Sequence, residues 1–155
     1  MSKATSTKLL RRSTAPSCAT FYGAAQYPIS LAVRAGDFVF TSALPCYIPA
    51  VEDQTYTAEG IPLTQGKYRK LYSFADEVRG SFKMVSQALE TAGCELSDVI
   101  DCQVWLKDPR DFAELNRIYV EYFTVTRPTR SVFQNHFMVD LRVELKVVAY
   151  KPLAQ

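Results

Sequence analysis

Hydrophobic and polar positions alternate with period two near the end of the chain. Leu141, Val143, Leu145, Val147 and Ala149 fall on one side, and Arg142, Glu144 and Lys146 on the other. This is the pattern of a strand with one buried face, and it predicts a strand over 141–150. Another is predicted over 130–137. A third covers 100–107, with Ile100, Cys102, Val104 and Leu106 inward and Asp101, Gln103, Trp105 and Lys107 outward. The period becomes helical from near Leu71, where Val78, Phe82, Val85 and Leu89 share one face. Gly93 supplies the left-handed residue that stops this helix. A second helix begins at Asp108-Pro109, with the acid as N-cap and proline in the first turn. Its stripe is Phe112, Leu115, Tyr119 and Tyr122, and Pro128 ends it. Nearer the N-terminus, Leu31 and Val33, then 38–41, flank Gly36-Asp37 and read as a hairpin whose second strand stops at Pro45.

Two stretches lack periodicity. Residues 1–27 are an extension rich in Ser, Thr, Ala and Pro, in which Leu9-Leu10 offer a seed for a short edge strand. Residues 46–70 hold Pro49, Gly60, Pro62 and Gly66 with Tyr47, Tyr56 and Tyr68 interleaved. A loop this long in a compact domain is usually functional or disordered. The predicted order is β-β-(loop)-α-β-α-β-β. Each helix has one apolar stripe to bury, and the simplest solution lays both on one face of a mixed sheet, giving a two-layer α+β domain over 1–155. The opposite face then carries Arg142, Glu144 and Lys146 together with Trp105. Charge mixed with a large aromatic suits an oligomer interface or a cleft.

Composition narrows the chemistry. With 155 residues, 48% hydrophobic and 22% charged, the chain is a single soluble globular domain by composition. A net charge of +2 gives no reason to expect nucleic acid. No run approaches the roughly 18 apolar residues of a membrane span. Cys18, Cys46, Cys94 and Cys102 lack CxxC spacing and read as reduced thiols, which points to a cytoplasmic compartment. The acid-free N-terminus with Lys3, Lys8, Arg11 and Arg12 also fits a mitochondrial transit peptide. The single histidine, His136, excludes metal sites built on several His, and it reads as structural within its strand. There is no phosphate-binding glycine loop and no G-x-S-x-G elbow. Any reaction must come from Arg, Glu, Asp, Asn, Ser, Tyr or backbone groups without metal or organic cofactor.

Arg130, after Pro128, offers a permanently charged fork matched to a carboxylate. Glu144 could position or deprotonate water, and Arg142 and Lys146 at i±2 would favour its ionised form. Asn116 interrupts the aromatic stripe and could orient a ligand. Alternatively, Arg130 and Glu144 form a surface or interface ion pair and Asn116 faces solvent.

The runs Val104-Trp105-Leu106-Lys107-Asp108, Asp111-Phe112-Ala113, Asn116, Tyr119, Tyr122-Phe123, Pro128-Thr129-Arg130-Ser131 and Val143-Glu144-Leu145 resemble the RidA/YjgF family of reactive-intermediate deaminases. Ala92-Gly93, Asp98-Val99-Ile100 and Gly36 with the 38–42 strand fit the same pattern. The resemblance covers 28–45 and 72–150. It implies a bacillus chorismate-mutase-like fold, a homotrimer with ligand clefts between subunits, and cofactor-free hydrolysis of 2-imino or 2-enamino acids to 2-oxo acids and ammonia. Arg130 would grip the substrate carboxylate, Glu144 would activate water, and Asn116, Ser42, Ile29, Val132 and Trp105 would complete the pocket. Departures are Ile29 and Leu31 where the family has Tyr and Gln, Val132 where Cys is frequent, and Thr41-Ser42-Ala43-Leu44-Pro45 in place of Ser-Gly-Gln-x-Pro. They imply a larger or more apolar substrate than aminoacrylate. A non-hydrolytic carboxylate-binding protein is the alternative. RNA cleavage, attributed to some relatives, is disfavoured by the near-neutral charge and the lack of a basic aromatic stripe.

Overall fold

The computed structural model describes residues 19–22, 29–46, 73–138 and 141–153. Leu9-Leu10 and nearly all of the 46–70 stretch lie outside them. Six strands form one mixed sheet: β1 (Ala19–Tyr22), β2 (Ala32–Ala35), β3 (Phe38–Thr41), β4 (Val99–Leu106), β5 (Thr129–Gln134) and β6 (Val143–Tyr150). Their spatial order is β1-β2-β3-β6-β4-β5. Helix α1 (Phe74–Thr91) connects β3 to β4, and α2 (Phe112–Tyr122) connects β4 to β5. β4 and β5 are parallel and the other pairings antiparallel. A parallel neighbour needs a crossover, and α2 supplies it.

The inward residues of β6 and β4 are Val143, Leu145, Val147, Ala149, Cys102, Val104 and Leu106, all buried. They pack with Val78, Phe82, Val85 and Leu89 of α1 and Leu115 and Ile118 of α2 in one core. Both helices therefore cover the same sheet face, as the two apolar stripes require.

The helix ends are closed by side chains. Ser73 caps α1: its hydroxyl accepts the Asp76 N–H at 3.1 Å, while the Asp76 carboxylate accepts the Ser73 N–H at 3.0 Å. Gly93 takes φ 77° just beyond the helix, a conformation that costs a side chain energy. The Ala92 carbonyl at that end accepts from Arg34 Nε at 3.0 Å and Nη2 at 2.8 Å. Arg34 Nη1 also donates to the Lys151 carbonyl at 3.0 Å. This arginine is buried with carbonyl oxygens as acceptors, which meets the requirement that a buried cation be hydrogen-bonded. It ties β2, α1 and the C-terminal segment together.

Several sequence expectations are corrected. The N-terminal stretch contributes Ala19–Tyr22, an edge strand beyond the expected set, which pairs with β2. β3 stops at Thr41, and only Leu44 pairs again with β6, opposite Leu145. Four residues separate Phe40 from Leu44 while three separate Val148 from Leu145, so the chain bulges here. The Thr41 hydroxyl fills the gap by accepting the Val147 N–H at 3.0 Å. Ile100 is 45% exposed instead of inward, because an irregularity between Val99 and Asp101 shifts the alternation. β5 ends at Gln134, so His136 lies beyond the strand, exposed.

Candidate functional site

Register decides which face each candidate occupies. Arg130 is the cross-strand partner of Cys102, and Val132 of Val104, so both point to the helix-covered side. Glu144 pairs with Trp105, and Trp105 pairs with Phe133. These three project from the bare side, where the Trp105 and Phe133 rings lie 6.0 Å apart. Arg130 and Glu144 thus occupy opposite faces. They are two strand spacings and three residues apart, which puts their Cα atoms roughly 14 Å from each other. Within one subunit the two form no ion pair.

The candidates form two groups. The first gathers at the β5 edge. The Arg130 guanidinium carbon sits 4.6 Å from the Tyr119 ring centroid and 5.8 Å from that of Phe112. Among the described residues no acid pairs with Arg130. Asn116 lies three residues from Tyr119 and four from Phe112, on the same side of α2, partly exposed. Val132 is half-buried against the core. Beneath Arg130, burial pushes the Cys102 thiol up to about 12, which makes it inert as a nucleophile. Tyr119 is raised by burial first and by Cys102 second.

The second group lies where β2, β3 and β6 meet. The Ser42 hydroxyl donates to the Ser30 carbonyl at 2.7 Å, and the Ser42 N–H to the Leu31 carbonyl at 3.0 Å. Ser42 belongs to the bulge that ends opposite Leu145, next to Glu144. Ile29 is 54% exposed, whereas Leu31 packs against the core, so of these two only Ile29 is presented outward.

Glu144 is partly buried, and desolvation raises its carboxyl above the usual glutamate value. The sequence expectation was the reverse, resting on Arg142 and Lys146 as flanking cations. Arg142 precedes β6 and turns to the other side. Its guanidinium meets Glu77 of α1, with Nε–Oε1 at 2.8 Å and Nη2–Oε1 at 2.7 Å, and lies 5.9 Å from the Phe74 ring centroid. Burial therefore outweighs charge at Glu144. A carboxylate with a raised pKa exchanges protons more readily near neutrality than an ordinary one.

Among the described residues no group of three or more His, Cys, Asp or Glu could hold a metal, and no helix is long and apolar enough to cross a membrane. Sequence reasoning missed Tyr119 and Phe112 as partners of Arg130. Their spacing marked them as core stripe, and only the placement of β5 against α2 gives them a cation.

This arrangement has counterparts. A family profile described as endoribonuclease L-PSP matches residues 20–151. The chain belongs to this family, which is the RidA/YjgF family. A RutC family protein of Pyrococcus horikoshii is 32% identical over 80% of this chain and 87% of its own. The human 2-iminobutanoate/2-iminopropanoate deaminase is 33% identical over 48% of this chain and 56% of its own. Among solved structures, E. coli TdcF with bound serine is 29% identical with a TM-score of 0.64, covering 84% of this chain and 93% of that one. The E. coli YjgF gene product is 27% identical with a TM-score of 0.65, covering 83% and 92%. The RidA/YjgF assignment and the α+β architecture read from the sequence both stand.

Proposed function

We propose that this RidA/YjgF protein hydrolyses a 2-imino or 2-enamino acid to a 2-oxo acid and ammonia, at a cleft shared between copies of the chain. The observation that carries this reading is Arg130. It is a partly buried guanidinium laid on two aromatic rings, with no acid beside it among the described residues. A cation so held is free to take a ligand carboxylate. Two relatives support the choice of reaction and ligand: one is named an imine deaminase, and another is solved with serine, a small carboxylic acid, bound.

The chemistry balances without a cofactor. Glu144 takes a proton from water as the oxygen adds to the C=N carbon. It returns that proton to nitrogen, giving the carbinolamine; it then takes the hydroxyl proton and passes it to the nitrogen as the C–N bond breaks, so that the 2-oxo acid and ammonia leave. A positioned general base contributes about 10²- to 10⁴-fold.

The opposed faces of Arg130 and Glu144 favour a site with Arg130, Asn116 and Val132 from one subunit and Glu144, Ser42 and Ile29 from the next, as in a homotrimer. The bare face is suited to such an assembly, since Phe38, Phe40, Phe133 and Tyr150 are each at least 41% exposed on it. Ile29 and Val132 make the wall apolar, which favours a side chain larger than that of aminoacrylate.

The test is ammonia release from 2-imino acids generated in situ by an amino-acid oxidase, comparing the imines of alanine and leucine. Wild type should outpace Arg130→Ala clearly, with preference for the leucine-derived imine. Equal rates for the two proteins would sink the reading. Pyruvate binding that survives Glu144→Ala, with no turnover of either imine by wild type, would establish the non-hydrolytic alternative instead.

A further inference from the structure

Arg130 needs something to hold it. Its side-chain partners among the described residues are rings: Tyr119 at 4.6 Å and Phe112 at 5.8 Å from the guanidinium carbon to the centroids. The two rings differ in what surrounds them. Phe112 is 43% exposed at the start of α2, while Tyr119 is 6% exposed and wedged between the helix and the sheet. Tyr119 is itself fixed by aromatic neighbours, with Phe82 at 5.9 Å and Phe123 at 4.8 Å between ring centroids. Its ring is therefore a rigid surface under the arginine.

The hydroxyl of Tyr119 is harder to explain by packing. It is buried without a hydrogen-bond partner among the described residues. Its polar neighbour is the Cys102 thiol, a weak hydrogen-bonding group close enough to raise the hydroxyl. An unsatisfied buried hydroxyl is a cost to the fold. The part of this residue that meets Arg130 is its ring face, which a phenylalanine would supply equally.

We propose that Tyr119 is a positioning residue for the substrate carboxylate: its ring face fixes the Arg130 guanidinium from below and leaves the N–H fork free, with Phe112 closing the outer side. This rests on Arg130 being the carboxylate clamp, and it adds what keeps that clamp in place. An arginine held by a carboxylate would have its donors consumed. One held by π faces keeps all five available. Ordering the long side chain before the ligand arrives also lowers the entropy lost on binding.

The experiment measures pyruvate affinity by calorimetry and KM and kcat for imine hydrolysis, in the full chain. The variants are Tyr119→Phe, Tyr119→Leu, Phe112→Leu and Arg130→Ala, together with the double variant Tyr119→Leu/Arg130→Ala. Tyr119→Leu should weaken pyruvate binding and raise KM by on the order of 3- to 30-fold, the range of a desolvated cation–π contact. Tyr119→Phe keeps the ring face and should stay within about twofold of wild type. The double variant should bind no more weakly than Arg130→Ala alone, because the ring acts through the arginine. Phe112 is partly exposed, so Phe112→Leu reports on the platform even if Tyr119→Leu fails to fold; it should weaken binding about two- to fivefold.

Three outcomes overturn the inference. If Arg130→Ala loses pyruvate while Tyr119→Leu, or Phe112→Leu in its place, binds like wild type, the clamp stands and the platform is wrong. If Tyr119→Phe falls as far as Tyr119→Leu, the hydroxyl acts and the ring does not. If Arg130→Ala binds like wild type, the clamp itself fails and the inference goes with it.

Discussion

Arg130 and Glu144, the two residues to which the proposed reaction assigns carboxylate binding and proton transfer, project from opposite faces of the same sheet. β4 lies between their strands, and its pairing with both β5 and β6 fixes the separation. A small imino acid cannot reach both within one subunit. This gives a prediction about mixtures. Arg130→Ala and Glu144→Gln chains, each inactive alone, should regain activity when unfolded and refolded together. In a ring with randomly placed subunits, about a quarter of the interfaces receive both intact residues. Ammonia release near that fraction of the wild-type rate is expected. Activity no higher than the separate variants would place both groups in one subunit.

Glu144 makes a prediction about pH. Its carboxyl is raised by desolvation, so the folded state disfavours the ionised form. Relative to an ordinary glutamate, stability is fully retained below the unfolded value. It falls as pH rises through the raised folded value, and the penalty is constant above that. Glu144→Gln carries no such penalty. It should match wild type in thermal midpoint at pH 4 and exceed it at pH 7, while losing hydrolysis. A lower midpoint for the variant at pH 7 would mean that the carboxylate is held by a partner.

Glu77 and Arg142 join the first turn of α1 to the entry of β6. Arg142 Nε donates to Oε1 at 2.8 Å and the Arg142 N–H to Oε2 at 3.2 Å, with both side chains mostly covered. Removing the acid takes a carboxylate acceptor away from a mostly covered guanidinium. Glu77→Ala should therefore cost about 2 kcal/mol in urea unfolding with an unchanged m-value. A loss below about 0.5 kcal/mol would class it with ordinary surface pairs.

Gly80, in the middle of α1, gives a prediction of opposite sign to helix propensity. Alanine in an exposed helix interior gains about 1 kcal/mol over glycine. Here a Cβ would run into the Cys46 side chain, which lies directly against the helix. Gly80→Ala should destabilise the fold, and adding Cys46→Ala should recover only part of the loss, because its Cβ still lies 2.8 Å from the added methyl. A stabilising Gly80→Ala on its own would show that the segment at Cys46 yields freely.

The sequence determined most of the elements and the buried side of the long ones, though not the edge strand Ala19–Tyr22. Alternation in 143–149 and 102–106 and the helical stripe through Val78, Phe82, Val85 and Leu89 are local periodicities, and hydrophobic burial obeys them wherever the strand or helix lands. Gly93 marks an end for equally local reasons of backbone geometry, whereas Asp108-Pro109, expected to start the second helix, open a short 3-10 turn and α2 begins only at Phe112. The sequence also offered the chemistry of the proposed site in Arg130, Glu144 and Asn116, because residue type alone fixes what a group can donate or accept. Its neighbours were another matter. Arg142 looked like a cation beside Glu144 by spacing, yet it sits just ahead of β6, where alternation no longer binds it and Glu77 claims it. Ile100 looked inward until an irregularity shifted it out. Tyr119 and Phe112 looked like core until β5 brought a guanidinium over them. Strand order and register are set by packing of the whole sheet. They alone decided that the two reactive side chains face apart, and that the raised pKa of Glu144 comes from burial and not from the charges written beside it in the chain.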